Sequence, residues 1–240
     1  RYLYSYMDLT LPIGIPLFAT GAAIYGFSGL YGMNVGPSAQ NSDWYGWYAG
    51  PPQEFNVTNS GKWIGENDGK ALGAGLTIGT LFDTGRVVSA KGLFALILPG
   101  PVIILHGMAN FLQTPPDVDD PTSQGVFNML AVLDMLAGSI QLNIDAGWSK
   151  VNLIDIGASA EAYFDFANPA NWHFYLGKDK PADRRIRAYM LSLFQADAYL
   201  MIDRDGIATG ASISWGMDWK FGPVKVVLRS WIGGDAAITW

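Results

Sequence analysis

Apolar and polar residues alternate along most of the chain. From Ile154 to Phe166 one set reads Ile154, Ile156, Ala158, Ala160, Ala162, Phe164 and Phe166. The other reads Asp155, Gly157, Ser159, Glu161, Tyr163 and Asp165. A period of two keeps these sets apart, whereas a helix would mix them. Leu142, Ile144, Ala146 and Trp148 repeat the pattern against Gln141, Asn143, Asp145 and Gly147. Phe194, Ala196, Ala198, Leu200 and Ile202 do so against Gln195, Asp197, Tyr199, Met201 and Asp203. Strands of this kind have one covered and one wet face, the signature of antiparallel pairing. The sequence therefore predicts an all-β fold: a mainly antiparallel sheet of long amphipathic strands, curved into a groove or closed into a barrel or sandwich.

Turn chemistry divides the runs. Gly36-Pro37, Gly50-Pro51, Gly100-Pro101 and Gly222-Pro223 each combine a permissive backbone with a missing donor. Arg204-Asp205-Gly206 predicts a hairpin with positive φ at Asp-Gly, and Asp83-Thr84-Gly85 and Asn168-Pro169 read likewise. The runs between turns number roughly ten to thirteen. Arg187–Asp203 holds neither Gly nor Pro. Extended throughout, it would span about 55 Å at roughly 3.3 Å per residue. That predicts an unusually tall strand, or a bulge near Leu191-Ser192-Leu193. Val126, Met129, Leu130, Leu133 and Leu136 have helical spacing, but Gly138-Ser139 leads straight into the next run, which favours a strand.

No charged residue lies between Asp8 and Asp43. A stretch of that length can hold a membrane-spanning helix of about 20 residues. Pro12, Pro16 and recurrent glycines argue for strands instead. Tyr25, Phe27, Tyr31 and Met33 are expected on one face, with Gly26, Ser28, Gly32 and Asn34 on the other.

Composition narrows the function. Of the 240 residues, 15% are charged, against about 25% in an ordinary soluble domain. There is no Cys and there are two His, so disulfides and thiolate or three-His metal sites are excluded. A net charge of −6 argues against nucleic acid as a partner. No nucleophile elbow, phosphate loop or dinucleotide fingerprint occurs. His106 sits among apolar neighbours and His173 between Trp172 and Phe174, neither with an evident partner. The expectation is a non-enzymatic protein with no cofactor. Both ends stop in strand-like sequence, which suggests a single β domain over 1–240 that is a piece of a longer chain. An irregular aromatic-rich insertion is expected over 36–70.

Trp44, Tyr45, Trp47, Tyr48 and Trp63 make the densest aromatic patch. Exposed on a loop, they would suit carbohydrate stacking; folded in, they would plug the end of the sheet. Asn56-Val57-Thr58 matches a glycosylation acceptor. Asp117, Asp119 and Asp120 are weak candidates for Ca²⁺, outweighed by an ordinary solvated turn. The run Lys178–Arg187 gathers Lys178, Lys180, Arg184, Arg185 and Arg187, a charged hairpin tip or an anion contact. Ala158, Ala160, Ala162, Ala196 and Ala198 form a small apolar face with room for a second sheet, a partner chain or lipid acyl chains.

Several phrases occur together: Gly73-Ala74-Gly75-Leu76-Thr77-Ile78-Gly79-Thr80, Leu98-Pro99-Gly100-Pro101-Val102-Ile103 and Gly157-Ala158-Ser159-Ala160-Glu161-Ala162-Tyr163-Phe164-Asp165-Phe166. Trp172-His173-Phe174-Tyr175-Leu176-Gly177, Arg184-Arg185-Ile186-Arg187-Ala188 and Trp219-Lys220-Phe221-Gly222-Pro223 follow. In this order the chain, from about Leu11 onward, resembles a family of very large prokaryotic β-rich proteins known only as a domain of unknown function, numbered six-six-zero-three. The resemblance implies one stretch of a longer β-sheet chain and brings no catalytic residues.

The leading expectation is a structural or binding scaffold segment. Its partners would be further segments of the same chain, other subunits or lipid, in the cell envelope or outside the cell. The first alternative is an outer-membrane β-barrel, whose strands also alternate and which often ends on an aromatic such as Trp240. Against it, the charges do not all fall on one parity: Lys91 shares a face with Ser89 and Leu93, and Arg187 with Leu191. The second alternative is a carbohydrate-binding module.

Overall fold

The alternation becomes thirteen strands of one antiparallel sheet in a computed structural model. It describes residues 1–39, 43–49, 57–111, 127–150, 153–181, 184–191, 193–221 and 224–240. The strands are β1 (Leu3–Pro16), β2 (Ala22–Pro37), β3 (Trp63–Thr80), β4 (Val88–Leu98), β5 (Val102–Phe111), β6 (Phe127–Asp134), β7 (Ser139–Lys150), β8 (Ile154–Asp165), β9 (Trp172–Leu176), β10 (Ile186–Met190), β11 (Phe194–Asp203), β12 (Gly206–Phe221) and β13 (Val224–Thr239). They follow chain order in the sheet, with β9 and β10 both lying between β8 and β11. The chain packs as two compact units, Arg1–Asn143 with Asp165–Ala167, and Ile144–Phe164 with Asn168–Trp240.

The ambiguous stretch after Gly125 is strand β6, with Leu130, Val132 and Asp134 buried along it. The uncharged N-terminal stretch forms β1 and β2. Among the described residues no helix is long and apolar enough to cross a membrane. Tyr25 departs from its expected face. A register shift between Ile24 and Gly26 turns its ring inward, where it is buried and its hydroxyl donates to the Thr80 carbonyl at 2.8 Å.

Three loops differ from expectation in instructive ways. Arg187–Asp203 is neither one tall strand nor a bulged one. It folds into a hairpin of β10 and β11, with Met190 opposite Phe194, and Leu191 takes the left-handed φ of 54°. The Arg204-Asp205-Gly206 hairpin forms one register earlier than its Asp-Gly pair suggests. Asp203 pairs with Gly206, so Arg204 and Asp205 make the turn. The positive φ falls on Gly206 after it. The irregular insertion expected over 36–70 is shorter, because β2 runs to Pro37 and β3 begins at Trp63. It holds a short helix α1 (Trp44–Ala49) and one 3-10 turn (Ser60–Lys62). Asp43 Oδ1 caps α1 by accepting the Gly46 N–H at 2.8 Å.

β9 and β10 run in the same direction along one lane of the sheet. β9 pairs with Ala160–Phe164 of β8 and β10 with Ile154–Gly157. The chain leaves the lane after Leu176 and returns at Ile186. Gly177 roots this excursion: its φ is 67°, and a Cβ there would stand 2.9 Å from the Ile186 nitrogen. The sheet therefore has twelve lanes.

Candidate functional site

Residues paired directly across antiparallel strands point to the same side of a sheet, so the registers assign its two faces. In the first unit one face carries Leu9, Phe27 and Leu76 in one row, and Leu72, Leu96 and Ile103 in another. Phe94 and Leu105 sit side by side on it. Between Leu3 and Ile15 of β1, Phe27 and Met33 of β2, Leu72 and Ile78 of β3, and throughout β4, β5 and β6, this face bears no charge. It is also the exposed face: Leu105 is 45% exposed while the next residue, His106, is 6% exposed.

The opposite face buries polar side chains. Ser28, Thr77, Ser89, His106, Asn110, Asp134, Ser139, Gln141 and Asn143 are all below 9% exposure. Lys91 of β4 pairs with Asp8 of β1 across the two strands between them. The small Ser28 and Gly75 occupy that register. Lys91 lies on the covered face with Ser89 and Leu93, as the alternation predicts, whereas Leu191 lies in the β10–β11 turn and shares no strand face with Arg187.

The aromatic patch folds onto the polar side of this unit. Trp44, Trp47 and Trp63 are 4–5% exposed. They pack with Leu30, Val35, Leu93, Ile97, Ile104 and Val132 in one cluster. Trp44 and Trp47 meet edge to face at 5.5 Å, and Tyr4 stacks on Trp63 at 5.5 Å. Each indole N–H has an acceptor: Asp134 Oδ2 at 3.0 Å for Trp44, the Lys62 carbonyl at 3.1 Å for Trp47, and the Val57 carbonyl at 3.0 Å for Trp63. Lys62 is buried, its Nζ donating to the Trp47 carbonyl at 2.5 Å. Burial lowers its pKa. These three rings are therefore an internal plug and not the exposed stacking platform that carbohydrate binding needs. Tyr45 and Tyr48 lie in the same helix.

The second unit divides its faces in the same way. Apolar residues share rows: Ile156 with Ala188 and Ala196, Phe164 with Trp172, and Ile207 with Ile238. The alanines singled out in the sequence join this face, Ala160 beside Leu176, Ala162 beside Phe174, and Ala198 beside Ile186. The other face is a charged network. Glu161 holds His173 Nε2 at 2.9 Å on one oxygen and Lys178 Nζ at 2.5 Å on the other. Arg185 bridges Asp197, at 2.8 Å, and Asp179. Arg184 reaches Asp145 at 3.3 Å, and the Tyr175 hydroxyl donates to Asp203 at 3.1 Å. His173 stacks on Tyr175 at 4.4 Å and on Tyr163 at 5.6 Å.

This network corrects two expectations. The basic run is not a solvated tip, because Lys178, Arg184 and Arg185 return onto the sheet and pair there. His173 does have a carboxylate partner, Glu161. The contact crosses a β8–β9 register, with Tyr163 opposite His173 and Glu161 opposite Tyr175, that no local motif announces. Among the described residues no group of three or more His, Asp or Glu is arranged to hold a metal. Asp117, Asp119, Asp120 and Asn56 lie outside the described residues. Comparisons with protein-family models, curated proteins and solved structures find no match for the chain.

Proposed function

We propose that the chain forms wall of a transmembrane β-barrel in an outer membrane, in preference to a water-exposed scaffold. One observation carries this reading: a continuous, uncharged face of large apolar side chains is exposed, while the covered face holds buried polar groups together with the apolar cluster. A soluble sheet does the opposite, and monomers in water rarely leave a continuous apolar face of this extent. Hydrocarbon is the cover that such a face fits.

Strand length agrees. A tilted strand needs about 9–11 residues to span a bilayer. β1, β2, β4, β5, β7 and β8 have 14, 16, 11, 10, 12 and 12. The Trp44–Trp63 insertion then plugs the polar side of the first unit.

Extraction and vesicle binding test the reading. The protein is expected to fold only with detergent or lipid and to resist carbonate extraction from membranes. A chain that remains folded, monomeric and soluble at high concentration without detergent overturns it. A chain soluble only as a complex with another protein restores the scaffold reading.

A further inference from the structure

On the face of the second unit that bears the charged network, one row has the exposed aromatic and polar mixture that the Trp44–Trp63 plug lacks. Read from the registers, it runs Asp155 of β8, Tyr189 of β10, Gln195 of β11, Ser214 of β12 and Trp231 of β13. Directly paired residues share a side, so all five point the same way. Tyr189 and Trp231 are 36% and 67% exposed. Three strand spacings separate them, about 14 Å. A cleft of about 720 Å³ takes in Tyr189, Gln195, Ser214 and Trp231, and a neighbouring one of about 360 Å³ takes in Tyr189 and Asp155. Trp215 borders the larger cleft from the apolar face and is no part of the row. Adjacent rows are closed on themselves: Asp197 is held by Arg185 and the Ser212 hydroxyl, and Glu161 by His173 and Lys178. Gln195 and Ser214 differ. Every residue opposite or diagonal to them is described, and among the described residues neither side chain has a hydrogen-bond partner.

From this arrangement we propose that the row is a binding site for a neutral oligosaccharide laid across the strands. The phenol and indole rings offer flat apolar faces to the C–H faces of sugar rings and keep a polar edge. Between them stand an amide and a hydroxyl, which both donate and accept, as sugar hydroxyls do. Asp155 adds an acceptor at one end. The row itself holds no cation, so a phosphorylated or sulfated ligand is a poorer match; Arg229 lies in the next row. An apolar chain would cover Gln195 and Ser214 without bonding them, which is costly. In the membrane reading this face is turned away from lipid, and on a scaffold the same rings are open to water. The proposal therefore stands apart from the choice between the two.

The full chain, purified in detergent, is presented to immobilised tetrasaccharides of glucose, mannose, galactose and N-acetylglucosamine and to their sulfated and phosphorylated derivatives. Affinity for each sugar retained is then measured by titration calorimetry. At least one neutral tetrasaccharide is expected to bind. Trp231→Ala should weaken it about tenfold, the loss of one stacked ring, and Gln195→Ala several-fold, the loss of a hydrogen bond. Trp215→Ala, beside the same cleft but on the opposite face, should leave affinity unchanged. Circular dichroism checks that each variant is folded. Failure of the wild type to bind any neutral tetrasaccharide overturns the proposal, as does binding confined to the charged derivatives. Equal affinity of wild type and Trp231→Ala, or equal weakening by Trp231→Ala and Trp215→Ala, overturns it too. Membrane insertion of the same samples is read separately, so each reading can fail alone.

Discussion

Asp83 organises the connection between β3 and β4. Its Oδ1 accepts the Thr80 hydroxyl and the Gly85 N–H at 3.1 Å, and its Oδ2 accepts the Val87 N–H at 2.6 Å. These bonds, the Thr80 hydroxyl first, hold its pKa below the usual carboxylate value. A depressed folded-state pKa means that the stabilisation is complete above the unfolded value of about 3.9 and is lost as pH falls through the folded one. A carboxyl-carbon NMR titration should place the Asp83 midpoint below that of a model peptide, and Thr80→Val should move it back up. A midpoint indifferent to Thr80→Val contradicts the hydrogen-bond account. The plug makes a second residue-scale prediction. Trp47→Ala empties a site enclosed by Trp44 and Trp63, and removal of a buried large aromatic costs about 3–5 kcal/mol. Trp44→Phe keeps most of the packing but takes a donor from buried Asp134, a loss of about 1–3 kcal/mol. Denaturant unfolding in detergent should rank the two in that order.

Elements were legible in the sequence where one strand carried its own signal, and not where pairing decided. The alternation in β8, β11 and β7 names their faces residue by residue, because a two-residue period needs no partner to be seen. The Asp83 and Arg204 turns are marked by Gly and Asp. The β10–β11 turn has no such mark. Its conformation is held from outside: the Leu191 N–H donates to the Leu153 carbonyl at 2.7 Å, and the Gly216 N–H to the Leu193 carbonyl at 2.8 Å. Leu191 accepts a left-handed φ that side chains ordinarily avoid at about 1–2 kcal/mol. Replacement by a β-branched residue sharpens that conflict. Leu191→Val should cost about 1 kcal/mol or more, while Leu191→Gly should stay within about 0.5 kcal/mol of wild type as relief of strain offsets lost chain entropy. Equal stability of the two variants would show that the turn is not strained. The excursion from 177 to 185 was hidden for the same reason. The Ser159 hydroxyl bond to the Arg184 carbonyl at 2.9 Å, the Gly177 N–H bond to the Ser159 carbonyl at 2.7 Å and the ion pairs of Lys178, Arg184 and Arg185 tie it to the sheet, and none of these is a local signal.

At the scale of the molecule, period-two alternation states that the two faces differ but not which one is covered. A soluble sheet and a membrane sheet have the same period. What separates them is the company kept by polar side chains: Lys91 with Asp8 and Trp44 with Asp134 join distant strands or loops, Glu161 with His173 joins two paired strands, and all are invisible to a pattern along one strand. One substitution pair turns this into a measurement. Leu105 lies midway along β5 on the apolar face, next to Phe94, and Phe111 ends the same strand on the same face. In a bilayer Leu105→Arg places a cation in hydrocarbon and should cost about 2–4 kcal/mol, whereas Phe111→Arg near the interface should cost about 0–1 kcal/mol. On a water-exposed scaffold both are surface changes within about 0.5 kcal/mol, and both should raise solubility. Reversible denaturant unfolding from phospholipid vesicles reads the difference directly. A steep depth dependence supports the bilayer as the cover of this face, and two small, equal effects return the apolar face to a protein partner.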